Sequence, residues 1–518
     1  MGHWNMEIEL KLLLDPAAAS KLRRLPLIGR HALGKPSRDT LLAIYFDTPD
    51  FHLFRHGAGL RVREAGGVWT QTMKAGGGVL GGLHRRHEWE GEVAGALPEL
   101  ERLAELVEAD SPWAAMLAEP GLGARLQPLF TVRVQRSAWQ LNVDGDEFEL
   151  VLDEGTLERG ELSLPICEVE LELIEGRPRR LYDFALRLAE RLPLRVDNGN
   201  KAERGYALCL QAPCGAVAAR AVALAPRASV EEGLQAILGN CVAHIQDNEA
   251  GVLDGHNGEC LHQMRVGVRR LRSALKMFGG VAPCPAPLLA DIAWLAAALG
   301  AARDWDVMAT STLALLPASA AGAVDLPLLR QMVAEMAAAR RQDVTRALLS
   351  ERYTRLLLSF CAWMLDPERA AALAPPEAKN PQRRLVRFAA ETLAGSHRKL
   401  QKRGKHLGAA DPRALHRLRI AVKKARYAAQ FFQALYRPRR VQAYADALGA
   451  LQDELGWRND VAVADALLLQ LPGERPEQVA AIAFARGFLL ARLHDDSGAL
   501  RKAWRKVRAL TPPSAPPK

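Results

Sequence analysis

The sequence predicts an α+β multidomain protein. Residues 1–210 read as an N-terminal antiparallel β-barrel tunnel with flanking helices, and residues 229–508 as a C-terminal all-α domain of two duplicated helical bundles. Three observations carry this. Polar and apolar residues alternate in short runs through the first part, the chain beyond residue 228 is rich in Ala, Leu and Arg at helical spacing, and a His–Arg motif occurs there twice.

The charge is divided unevenly. Residues 1–210 hold 26 Lys and Arg against 32 Asp and Glu, a net −6, whereas the remainder holds 43 against 27, a net +16. A polyanion is therefore the expected partner class for the second part. Seven cysteines lie scattered with no C-x-x-C pair, so neither a disulfide framework nor a zinc site is expected, and a reducing cytoplasmic setting fits. The first residues hold no apolar leader, and the richest late run, 480–493, is cut by Arg486, so no signal peptide, spanning helix or membrane partner is expected.

In chain order, Glu7-Ile8-Glu9-Leu10-Lys11 alternates, which puts Glu7, Glu9 and Lys11 on one strand face. Two such carboxylates, roughly 7 Å apart, repel by about 2 kcal/mol and call for cations nearby. Residues 40–46 are β-rich, 59–63 alternate with Arg61 and Arg63 on one face, and Thr70, Thr72 and Lys74 follow. A glycine-rich connector at 76–82 leads to Arg86, Glu88 and Glu90, and a helix is expected over 98–119. Strand patterns resume at 130–143, 147–153 and 166–174, the last carrying a second acidic ladder, Glu168, Glu170 and Glu172. A helix at 178–191 and the segment Lys201 to Tyr206 close the unit, a linker is expected at 211–228, and a disordered tail at 509–518. Residues 29–35 outline a G-x-x-x-x-G-K loop, but Pro36 stands where a magnesium-holding Ser or Thr is required.

Acids cluster on two of these strands and bases on others, an arrangement that suits a closed barrel with carboxylates toward a divalent metal and Arg or Lys toward phosphate oxygens. The segments Glu7 to Lys11, Tyr45-Phe46-Asp47-Thr48-Pro49, Leu60-Arg61-Val62-Arg63, Gln71-Thr72-Met73-Lys74, Glu168-Val169-Glu170 and Lys201-x-x-Arg204-Gly205-Tyr206 resemble the CYTH superfamily of triphosphate tunnel metalloenzymes. The resemblance implies a tunnel of roughly eight strands that binds a linear triphosphate with Mg²⁺ or Mn²⁺. It implies Glu7, Glu9, Asp153, Glu168 and Glu170 as metal-side carboxylates, and Lys11, Arg61, Arg63, Lys74, Arg86, Arg136, Lys201 and Arg204 as phosphate ligands. Glu7, Glu9, Lys11, Arg61, Arg63 and Lys74 form the implied catalytic group. Arg133 and Arg136 have opposite strand parity, so one of the two is expected to face inward.

The helical repeat aligns His262-Gln263-Met264-Arg265 through Arg272 with His416-Arg417-Leu418-Arg419 through Arg426. On a helix His262, Arg265, Arg269, Arg272 and Lys276 share one arc, as do His416, Arg419, Lys423 and Arg426. Like charges at that spacing cost ~1 kcal/mol per stripe, which an anionic ligand reverses. Acidic segments follow each copy, one from Leu299-Gly300 to Asp304 and one from Leu448-Gly449 to Asp453, with Asn459 and Asp460 beyond. This region, with repeat halves about 229–365 and 380–508, resembles the CHAD family of histidine-bearing helical domains, which implies inorganic polyphosphate as ligand of the two stripes.

The expectation is a metal-dependent inorganic triphosphatase with an appended polyphosphate-binding domain. Two other classes stay open: a scaffold that only binds polyphosphate, and a tunnel enzyme acting on an organic triphosphate such as thiamine or nucleoside triphosphate, or cyclising ATP. Nucleic acid is disfavoured because no aromatic stacking platform accompanies the bases.

Overall fold

The computed structural model describes residues 6–211, 213–317, 324–366, 385–405, 407, 412–492 and 497–513. Residues 514–518 of the expected tail, and all but the first residue of the gap 366–379 between the expected repeat halves, lie outside them. The chain divides into two compact units, Met1–Pro213 with Leu349–Asp366, and Cys214–Leu348 with Pro367–Lys518.

The first unit is built on nine strands: β1 (Met6–Leu14), β2 (Ser37–Asp47), β3 (Ala58–Ala65), β4 (Val68–Leu80), β5 (Leu83–Val93), β6 (Gln127–Val143), β7 (Asp146–Arg159), β8 (Leu162–Glu175) and β9 (Leu194–Val196). They pair in the order β5-β4-β3-β2-β6-β7-β8-β1-β9, and β1 also pairs with β5, so eight strands close into an antiparallel ring. β1 divides one edge between two partners, residues 6–10 with β5 and residues 12–14 with β9, while its other edge carries β8.

Directly opposed residues share a face, so the register decides what points inward. Glu7 opposes Arg86, Lys11 opposes Glu170, Arg136 opposes Asp153, and Asp153 opposes Glu168. The same face carries Arg61 opposite Thr72 and Lys74 opposite Glu88. Further along the barrel this inner face turns apolar: Leu41, Ala43, Tyr45, Phe130, Val132, Val134, Leu157 and Ile166 form a core with Tyr206 of the Lys201–Leu210 helix. The polar interior expected from the charged runs therefore occupies only part of the barrel. Gly205 lets the helix approach, because a Cβ there would lie 2.1 Å from the Phe130 ring.

The outer face follows the apolar alternation. Leu10 and Leu12 are fully buried, and the Pro178–Ala189 helix packs on β1 and β8 with Leu181, Tyr182, Phe184 and Leu188 inward. The single helix expected over 98–119 is two, Leu100–Leu106 and Pro112–Leu117. Pro112 disfavours helical geometry in the residue before it, and the Ser111 hydroxyl instead caps the second helix by accepting from the Ala114 N–H at 3.1 Å. The glycine-rich connector is mostly strand: β4 runs to Leu80 with a bulge after Ala75, and only Gly81-Gly82 turns, at φ +58° and +79°, as a two-residue hairpin requires.

The second unit repeats one packing order. In the first half Val230–Gln246 packs on Gly258–Phe278, that helix on Ala286–Val307, and that one on Leu326–Leu348. In the second, Leu385–Gly404, Pro412–Phe431, Pro438–Leu468 and Pro476–Arg492 follow the same succession. The halves share a core in which Trp305, Leu329 and Val333 join Val461, Ala485 and Leu489. Residues Ala286–Leu315, in a chain where no spanning helix is expected, have the length and hydropathy of a membrane span. Here Leu288, Ile292, Leu295 and Leu299 of that stretch are buried within the unit. Residues 213–228 form no helix or strand, yet Asn248 clasps them by accepting from the Val217 N–H and donating to the Val217 carbonyl, both at 2.9 Å.

Gly205→Val drives a branched side chain into Phe130. It is expected to destabilise the barrel unit by about 1–3 kcal/mol, read as a lower denaturation midpoint of the full-length protein.

Candidate active site

Period-two alternation on seven strands places the charged residues, and closure of the ring brings them together. Lys11 on β1 lies 2.9 Å from Glu9 Oε2 and also contacts Glu170 on β8. Arg136 on β6 binds Asp153 through two hydrogen bonds of 2.8 and 2.7 Å and reaches Glu170 at 3.3 Å. Lys201, from the first turn of its helix, lies 2.8 Å from Asp153 and 3.1 Å from Glu170, and it touches Glu168, as does Arg204. Across the interior Lys74 lies 2.5 Å from Glu7 and 3.4 Å from Glu88, Arg61 is 3.8 Å from Glu88, and Arg63 is 3.5 Å from Glu90. Arg86 pairs with Glu203 at 3.2 Å. Of the two arginines of opposite parity, Arg136 is inside and Arg133 is exposed beside Glu158.

Burial and these pairings pull the ionisations apart. Burial alone disfavours the Glu9 carboxylate, but the Lys11 and Lys74 ammoniums outweigh it and hold the carboxyl at about 2. Glu7 is pushed up to about 7 because burial outweighs Lys74. For Glu170, burial is overcome by Lys11, Lys201 and Arg136, which hold it well below the carboxylate range. Burial likewise disfavours the Lys11 ammonium, yet Glu170 and Glu9 raise it above the usual lysine value. His84, opposite Glu9 and 1% exposed, is held neutral at about 3 by burial and by Lys11.

Sequence reasoning missed His84, Glu88, Glu90 and Asp197 as residues of this site. Glu88 and Glu90 carried a signal, since they share the parity of Arg86. Asp197 carried none, because its approach to Arg204 at 3.7 Å comes from a loop.

Among the described residues, Asp153, Glu168 and Glu170 form a group whose carboxylate oxygens lie within 4.8 Å of one another, all buried. Glu7 and Glu9 sit on the same inner face outside this group. Three hard oxygen donors suit Mg²⁺ or Mn²⁺. Their present counterions, Lys11, Arg136, Lys201 and Arg204, are side chains with a strong affinity for phosphate. A phosphate chain that drew those bases away would leave the carboxylates in need of another cation, so the donor set fits a divalent ion.

In the helical unit the two motif helices meet: Arg269 donates to the Tyr427 hydroxyl and its guanidinium lies 5.9 Å from that ring. Arg265, Arg269, Arg419 and Lys423 interact electrostatically across this junction. Burial, then Arg419, Arg269 and Arg265, push Lys423 down to about 7. His262 and Arg426 are half-buried, while Arg272, Lys276 and His416 are exposed. Asp304 lies 3.3 Å from Arg265, and its counterpart in the second half is Asp460, 3.9 Å from Arg419. The expected counterpart, Asp453, is exposed. Leu448-Gly449 with Asp453 and Leu455-Gly456 with Asp460 both keep the internal spacing of Leu299-Gly300 and Asp304, but Asp304 follows His262 by 42 residues, a separation that Asp460 nearly keeps at 44 from His416 and Asp453 shortens to 37. His244, preceding the first motif, is buried against Gln263 at 3.1 Å and serves the core.

A closed antiparallel ring with carboxylates and bases inside, followed by duplicated helical bundles, defines a two-part protein of CYTH and CHAD architecture. Residues 5–206 match the CYTH domain and residues 236–469 the CHAD domain, so the chain carries both domains. It is 31% identical over 207 residues to an inorganic triphosphatase of Haemophilus influenzae, a match covering 39% of this chain and 54% of that protein. The chain thus spans about half the length of that relative. The crystal structure of the CHAD domain from the plant Ricinus communis is 45% identical at a TM-score of 0.52, covering 58% of this chain and 98% of that one.

Lys201→Met removes the ammonium shared by three buried carboxylates. The full-length variant is expected to lose about 3–5 kcal/mol in chelator, and millimolar Mg²⁺ is expected to raise its melting temperature more than that of the wild type.

Proposed function

We propose that the barrel hydrolyses inorganic triphosphate to phosphate and pyrophosphate with a divalent cation, Mg²⁺ or Mn²⁺, and that the helical unit binds inorganic polyphosphate. The observation that carries the first half is the convergence of Lys11, Arg61, Arg63, Lys74, Arg136, Lys201 and Arg204 on one closed interior beside a carboxylate cluster. The similarity to a triphosphatase over the barrel supports the same reading. With seven cysteines, all unpaired, we place the protein in the cytoplasm.

Each base in the interior is held by an acid, so phosphate oxygens enter by exchange rather than into bare charge. Arg61 and Arg204 each keep a buried Nε–H with no hydrogen-bond partner, a donor that a phosphate oxygen satisfies. The guanidinium forks of Arg61, Arg63 and Arg136 grip oxygens in pairs and fix the chain in line. Charge on the transferring phosphoryl group is dispersed over its oxygens, so fixed Lys and Arg side chains stabilise it with little reorganisation. A divalent ion on Asp153, Glu168 and Glu170, with Glu7 and Glu9 alongside, would supply charge neutralisation and an oriented water when bound. His84, held neutral, adds no cation beside Lys11.

The test is phosphate release from tripolyphosphate, ATP, thiamine triphosphate and long polyphosphate, each with Mg²⁺ and with Mn²⁺. Tripolyphosphate is expected to turn over fastest, and Arg61→Ala and Glu170→Gln each to lower kcat/KM by about 10²-fold or more. No release from tripolyphosphate overturns the reading, and faster release from an organic triphosphate moves it to that substrate class.

For the helical unit, a polyphosphate chain over Arg265, Arg269, Arg419 and Lys423 restores the Lys423 charge. Above about pH 7 the free lysine is largely deprotonated and the bound one protonated, so binding takes up a proton and affinity falls as pH rises. Calorimetry of polyphosphate binding in buffers of different ionisation enthalpy is expected to show that uptake near pH 8, and Lys423→Met to abolish it.

A further inference from the structure

The Glu351–Met364 helix lies in sequence between the two halves of the helical repeat, yet it belongs to the barrel unit. It packs on the Pro178–Ala189 helix and on β9, with Thr354, Leu358, Phe360 and Cys361 buried. The Thr354 hydroxyl donates to the Leu194 carbonyl of β9 at 2.9 Å. Cys361 lies against the β4–β5 turn so closely that a Cβ on Gly81 would fall 2.2 Å from its Sγ. Tyr182 beside it donates to the Leu80 carbonyl at 2.6 Å. At the helix end Asp366 pairs with Arg179 at 2.8 Å.

Both structures under this helix hold the backbone of Lys11. The Lys11 N–H donates to the Gly82 carbonyl at 2.9 Å, and the Lys11 carbonyl accepts from the Asp197 N–H at 3.0 Å. Gly82 adjoins the glycine seated on Cys361, and Asp197 directly follows β9, whose Leu194 is held by Thr354. The Lys11 side chain enters the buried pairings with Glu9 and Glu170, where a small shift of the backbone is not absorbed by solvent.

We propose that the Glu351–Met364 helix is a positioning element of the barrel site: through the Gly81-Gly82 turn and β9 it sets Lys11, and with it the affinity for the phosphate chain. The affinity clause rests on the triphosphate reading above; the positioning of Lys11 does not. Thr354 and Cys361 touch no substrate and act through Leu194 and Gly81. The chain enters this helix from one half of the helical repeat and leaves it toward the other, which makes the tunnel's geometry depend on a segment outside its own contiguous stretch.

Full-length Thr354→Val, alone and with Cys361→Ala, tests this by amide hydrogen exchange and steady-state kinetics. Exchange at the Lys11 amide is expected to rise about tenfold, with the β6–β7 hairpin unchanged. KM for tripolyphosphate is expected to rise about fivefold with kcat within about twofold, and Thr354→Ser, which keeps the hydroxyl, to behave as wild type. Unchanged exchange at Lys11, or a uniform rise across the barrel, overturns the proposal. If wild-type protein turns over no tripolyphosphate, the functional reading fails, and the exchange data alone decide the positioning role.

Discussion

The buried ionic network around Glu170 is the constraint on which the barrel unit depends. Lys11, Arg136 and Lys201 surround one carboxylate, and Asp153 and Glu168 share two of these partners or Arg204. Moving any one of these charges out of water costs several kcal/mol, and only mutual pairing repays it. The network therefore requires strands far apart in sequence to be in register at once. β1 meets β8 with Lys11 opposite Glu170, and β7 meets both β6 and β8 at Asp153. A one-residue slip would turn these charges to the apolar outer wall.

In the proposed exchange of these partners for phosphate oxygens, the same arrangement keeps the interior ordered. Lys11, Arg61, Arg63, Lys74, Arg86, Arg136, Lys201 and Arg204 each have a counterion already, and the apolar part, with Tyr45 stacked on Phe130 at 4.6 Å, fixes the wall beneath them. Tyr206 anchors its helix to the end of β2, since its hydroxyl donates to Asp47 at 2.8 Å while Asp47 accepts the Thr48, Leu53 and Phe54 N–H groups. Two motif segments that could be taken for catalytic pieces, Tyr45 to Pro49 and Gly205-Tyr206, thus serve packing and capping. The helical unit uses charge differently. Its bases are concentrated at a helix junction with Asp304 and Asp460 as partial counterions, which leaves a lysine near neutrality.

Strand alternation needs nothing beyond local chemistry, and it made Glu7, Glu9, Lys11, Arg61, Arg63 and the Glu168–Glu170 ladder legible as one inner face. The repeat made the duplicated bundles legible for the same reason, because its spacing is set within single helices. The strand order that closes the ring, the apolar lower interior, the separation of Asp153, Glu168 and Glu170 from Glu7 and Glu9, and the burial of His84 were decided only in three dimensions. Each depends on which strand lies beside which, and long-range pairing leaves no local trace. Asp460 in place of Asp453 shows the same limit, since a segment two turns along one helix can be chosen only when its partner Arg419 is in view. The Glu351–Met364 helix shows it most fully: composition made it helical, but only burial against Tyr182 and the Gly81 turn assigned it to the barrel.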